Sequence, residues 1–81
     1  MPTAVRVRIK RFRLQRPGWS IAEVEERVTG QRADGKVFVA IGPLDQVHEG
    51  EEADLEGGWV IHPKWGEQFK VTSAMPAVPS D

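Results

Sequence analysis

Two histidines, a run of carboxylates and three serines are the residues of this chain whose types could do chemistry. A zinc centre needs His, Cys or carboxylate ligands at short, regular spacing. His48 and His62 stand in different loops with no His-x-x-x-His partner, and the chain has no cysteine, so they read as surface or packing residues. The acids Asp45, Glu49, Glu51, Glu52, Asp54 and Glu56 lack the Asp-x-Asp-x-Asp-Gly order of a calcium loop, and no pair of them stands out for acid–base work. They read as a solvated acidic face. Ser20, Ser73 and Ser80 have no Gly-x-Ser-x-Gly elbow, and no Gly-x-x-x-x-Gly-Lys-Ser/Thr loop is present to cradle a nucleotide phosphate. The expectation is a module that works by binding, is not an enzyme, and calls for no metal and no cofactor.

Charge and aromatic side chains remain. The net charge of −1 hides a polarity: residues 1–16 carry Arg6, Arg8, Lys10, Arg11, Arg13 and Arg16 with no acid, and the rest of the chain makes up the balance with acids. Either two faces of opposite sign attract each other across the fold, or a basic strip faces a polyanion. With 81 residues the chain closes one modest core, and without cysteine it has no staple, which fits a reducing, cytoplasmic setting. No run approaches the roughly 20 apolar residues of a membrane span, and the first residues pass directly into alternating arginines. No membrane association is expected.

The elements that position these side chains are strands. Val5-Arg6-Val7-Arg8-Ile9-Lys10 alternates apolar and basic, and the phase then shifts to Phe12 and Leu14, as one extra residue near Lys10-Arg11 would produce. After the turn Gln15-Arg16-Pro17-Gly18, a second strand runs from Trp19 to about Val28 with a phase change between Ile21 and Val24. Asp34-Gly35 is a hairpin signal before a third strand, Lys36 to Ile41. Gly42-Pro43 ends it, and at most one turn fits around Leu44 to Val47. Glu52 to Ile61 follows, with Gly57-Gly58 permitting sharp coiling, then a tight connection and a fifth strand from Gln68 to about Ala74. The fold class is all-β, a small five-stranded OB-like barrel over residues 1–74, with 75–81 a Pro-containing tail or linker.

Parity assigns the aromatics. Val37, Val39 and Ile41 form the core face of the third strand, which leaves Phe38 outward as an exposed aromatic. Trp59, Ile61 and Phe69 share parity with core residues. Trp19, at a strand start, serves packing or a ligand, and Trp65, in a turn, is exposed or folds over the barrel end. Arg6, Arg8 and Lys10 make a cationic rail at about 6.7 Å spacing.

The stretch Leu55 to Val71, with Gly57-Gly58-Trp59-Val60-Ile61-His62-Pro63-Lys64-Trp65-Gly66 and then Gln68-Phe69, resembles the N-terminal domain of RecD-like (YrrC-type) superfamily 1 DNA helicases. Gly18-Trp19-Ser20-Ile21, Ile41-Gly42-Pro43-Leu44 and Glu49-Gly50-Glu51 agree with that family in order. The resemblance implies an OB-like barrel in a family whose full-length members are ATP-dependent, 5′-to-3′ DNA-unwinding motors of DNA repair and recombination. Nothing of the motor carries over, because the helicase motifs are absent from these residues; the chain is expected to be an excised domain or a stand-alone relative.

Two readings follow. In the first the barrel binds single-stranded DNA through the cations Arg6, Arg8, Lys10, Arg13, Lys36 and Lys64 and the aromatics Trp19, Phe38 and Trp65, with a log–log salt slope near −2 for about three phosphates. In the second it is an interaction or positioning domain that docks on helicase motor domains or another DNA-repair protein, as the acidic 45–56 segment and a pI of 6.1 favour.

Overall fold

The structure, a computed structural model, describes residues 3–27, 35–64 and 66–77. Alternating side chains give the strands β1 (Thr3–Arg16), β2 (Trp19–Glu26), β3 (Val37–Gly42), β4 (Glu52–His62) and β5 (Gly66–Pro76). They close into a barrel in the order β1-β2-β3-β5-β4, with β4 returning to β1. All neighbours are antiparallel except β3 and β5, which run parallel through only three pairs, Val39–Gln68, Ala40–Phe69 and Ile41–Lys70. Closure lets so small a sheet bury most of one face. The expected all-β, OB-like barrel is what forms.

Register decides which residues enter that face. In β1 it slips between Ile9 and Arg11, at the expected bulge, and again between Phe12 and Leu14. Lys10 and Arg13 are thus extra residues, and the second slip turns Leu14 to the outside, opposite Ile21. The phase change expected in β2 does not occur: Ser20, Ala22 and Val24 are buried in strict alternation, and Ile21 is an outward apolar residue.

β3 corrects the parity assignment. Phe38 and Ala40 are buried, not outward, because they pair with the core residues Val24 and Ala22 of β2. Val37 is half exposed, and Val39 and Ile41 lie on the outer face. In β4, Ala53 and Leu55 are buried as expected, but Trp59 is 39% and Ile61 83% exposed. Past Gly57 no described residue of β1 lies beside β4, so the β4–β5 hairpin is only partly packed there. A Cβ on Gly57 would run into the Lys70 carbonyl oxygen at the β4–β5 register slip, so this close approach requires glycine.

Between β3 and β4 a single turn, closed by the Val47 amide donating to the Leu44 carbonyl (3.4 Å), adds Leu44 and Val47 to the core. The same segment straps β1: the Gly50 amide donates to the Ile9 carbonyl (2.7 Å), the Ile9 amide to the Glu51 carbonyl (2.8 Å), and the Phe12 amide to the Glu49 carboxylate (2.9 Å). β5 continues past Ala74 through Met75 and Pro76, opposite Asp54 and Ala53. Val28, Asp34, Trp65 and the chain beyond Ala77 lie outside the described residues.

Candidate functional site

The outward apolar residues that periodicity misplaced converge. Leu14 and Ile21 face each other across β1 and β2, Ile41 pairs with Ile21 from β3, and Val39 continues the row. With Trp19, Arg13, Gln68 and His62 they line an open groove of about 730 Å³ on the outer face of β2 and β3. Trp19, 44% exposed, stands at one end, and Arg16 is its cross-strand partner. Gln68, almost buried, contributes an amide to the lining. The His62 Nδ1 accepts the Lys64 amide (3.0 Å), which fixes the ring in the β4–β5 turn.

Of the residues expected from the sequence, the groove gathers Arg13 and Trp19. Phe38 lies instead in an aromatic cluster, 4.8 Å from Trp59 and 6.1 Å from Phe69 between ring centroids, and so presents no open ring face. Lys36 sits 5.4 Å over the Trp59 ring and pairs with Glu67 (2.8 Å). Lys64 is exposed in the turn. Arg6, Arg8 and Lys10 are all exposed, alternating with buried Val7 and Ile9; Arg6 is held by Asp54 (2.8 Å), while Arg8 and Lys10 border a depression with Glu25 and Gly50. Sequence reasoning missed Leu14, Ile21, Val39, Ile41, His62, Gln68 and Arg16. For Ile21, Val39 and Ile41 the available signal was apolar residues on both parities of β2 and β3, which means a strand with two apolar faces.

Much of the charge segregation is resolved within the barrel. Arg11 and Arg13 pair with Glu23 (2.9 and 2.7 Å), and Arg27 with Glu52 (3.5 Å), whereas Arg8, Lys10 and Arg16 make no ion pair with another described residue. Arg11 and Arg13 hold the Glu23 carboxyl below the usual carboxylate range through hydrogen bonds, and Arg6 does the same to Asp54. A carboxyl depressed in the folded state stabilises the fold above its unfolded pKa, and that contribution is lost as pH falls through the folded value. The melting temperature should therefore decline on acidification from about pH 5 downward. Asp54→Asn should flatten part of that decline in a thermal scan, and an unchanged acid slope would remove Asp54 from the account. Among the described residues no group of three or more His, Cys, Asp or Glu is placed to hold a metal, and no helix is long and apolar enough to cross a membrane.

A closed five-stranded barrel with a groove on its β2–β3 face is a domain of the OB-fold class. Within that class, the model of the OB-fold domain of ATP-dependent DNA helicase YrrC matches residues 5–79, and the chain belongs to this family. Neither a curated protein nor a solved structure matches it.

Proposed function

We propose that this barrel is a non-catalytic, single-stranded-DNA-binding module that takes unstacked bases in the groove between Trp19 and His62. The groove itself carries the reading: it lies on the face that OB folds use for oligonucleotides, with a half-exposed indole, apolar walls, Arg13 in its lining and Arg16 opposite Trp19. Trp19 stacks a base, Leu14, Ile21, Val39 and Ile41 cover its apolar surface, Gln68 offers an amide to a base edge, and Arg13 and Arg16 meet the backbone. Membership of a helicase OB-fold family supports a nucleic-acid-binding role in general. Its setting is then cytoplasmic, beside helicase motor domains or another DNA-repair protein.

Fluorescence anisotropy of labelled oligo-dT at low salt tests this. Trp19→Ala should weaken binding about 5- to 150-fold, the equivalent of one stacked base at roughly 1–3 kcal/mol, with little change in melting temperature. No wild-type binding at about 100 μM protein, or binding indifferent to salt, would sink the reading.

The docking alternative is favoured by one observation, the exposure of Val60 and Ile61 on the β4–β5 hairpin. Ile61→Ser should leave oligo-dT affinity unchanged if the hairpin faces a protein, and a clear loss would move the hairpin into the DNA interface.

A further inference from the structure

One carboxylate oxygen in this barrel collects three hydrogen bonds. Glu23 Oε2 accepts from Arg11 Nε (3.1 Å) and Nη2 (2.9 Å) and from Arg13 Nε (2.7 Å). The second bulge of β1 builds the arrangement: Arg11 stands opposite Glu23 in register and Arg13 is the extra residue, so cations two positions apart turn to one point. The carboxylate is the sheltered member, its side chain 19% exposed against 65% and 52% for the two arginines. Arg13 also lines the groove, and Glu23 follows Ile21 on the outer face of β2, so the convergence point borders the place where a base would sit.

We propose that Glu23 occupies a phosphate subsite in the unliganded barrel, and that a backbone phosphate of the bound strand displaces it from Arg11 and Arg13. A phosphodiester carries the same single negative charge as the carboxylate and offers two non-bridging oxygens to two guanidinium forks. Glu23 holds two like charges together in the free protein and competes with the incoming anion. Ion pairs this exposed are weak and screened by salt, so a phosphate can displace them. Glu49, the other carboxylate whose charge reaches Arg11, is held on the Phe12 amide (2.9 Å) and makes no ion pair with either arginine, so Glu23 is the direct competitor for the site.

The inference rests on the groove reading for the identity of its ligand, and two probes keep the two apart: labelled oligo-dT, and inorganic tripolyphosphate, which has phosphates but no base. Both are titrated at low salt against wild type, Glu23→Gln, the strand-compatible second variant Glu23→Thr, and the double variant Arg11→Gln/Arg13→Gln, with thermal melting as the check of folding. Loss of Glu23 should tighten both probes about 3- to 10-fold, as for removal of two exposed competing ion pairs. The oligo-dT log–log salt slope should steepen by about 0.7. The double variant should lose tripolyphosphate binding. Tripolyphosphate affinity unchanged or lowered in both folded Glu23 variants overturns the subsite. Tripolyphosphate tightened while oligo-dT binds no form of the protein leaves the subsite standing and removes the nucleic-acid reading.

Discussion

Phe69→Ala is expected to cost about 3–5 kcal/mol and to lower the melting midpoint by more than about 10 °C. Phe69 is fully buried, and its ring lies 5.1 Å from Trp59 and 6.1 Å from Phe38, so it joins the two other members of the aromatic cluster. Its backbone sits where β5 is paired on both sides, to Trp59 of β4 and to Ala40 of β3. Both flanking strands are thus tied, and the wall cannot collapse into the vacated space, which places the cost toward the upper end of the large-to-small range. A domain of this size has roughly 4–12 kcal/mol of stability in all, so the variant should be partly unfolded at physiological temperature. Phe69→Leu keeps most of the volume and should cost less than half as much. Urea titration followed by tryptophan fluorescence and circular dichroism measures both, and a loss below about 1 kcal/mol for Phe69→Ala would mean that the cluster closes over the gap.

The strands themselves were legible because local signals agreed. Val5 to Lys10 alternates strictly, Pro17-Gly18 and Gly42-Pro43 interrupt, and the OB-type order followed from the His62-to-Phe69 resemblance. What a single strand could not reveal was its phase where both parities are apolar. Val37-Phe38-Val39-Ala40-Ile41 reads equally well either way, and only its pairing with Val24 and Ala22 places Phe38 and Ala40 inside. Ile21 was misread for the same reason. Trp59 followed the right parity, but its strand outruns the described part of β1, and burial depends on neighbours as well as on parity.

The site divides along the same line. Arg13 and Trp19 lie on either side of one short turn, so their proximity is local and could be read from the sequence. Val39 and Ile41 reach the groove through the β2–β3 pairing, whereas Gln68 and His62 reach it only through barrel closure, which no spacing in the chain announces. The fate of the basic first strand also needed the fold. Arg6 meets Asp54, 48 positions away, because β1 and β4 pair with Val5 opposite Leu55. Part of the charge segregated along the chain is paired across the sheet, through Arg6, Arg11 and Arg13, while Arg8, Lys10 and Arg16 make no ion pair with another described residue.

Closure itself depends on Gly42, and Gly42→Ala is the second large effect expected, about 2–6 kcal/mol. Two causes add. Gly42 has φ of +146°, where an L side chain is strained by about 1–3 kcal/mol. A Cβ there would also run into the carbonyl oxygen of Val71 and stand 3.0 Å from the Val71 Cβ, overpacking of a kind that costs about 1–3 kcal/mol. The obstacle is backbone, so no side-chain rotation relieves it, and β3 must move away from β5. That seam has only three paired positions, and Val39, Ile41 and Gln68, which belong to it, also line the groove. Gly42→Ala should therefore lower the urea midpoint and weaken oligo-dT binding together, even at temperatures where the variant remains folded. Gly58→Ala is the matched control: its Cβ meets nothing within 4 Å, and stability should stay level or rise by about 0.5–1 kcal/mol. If Gly42→Ala behaved like Gly58→Ala, the parallel seam would be looser than its geometry, and the groove would not depend on it.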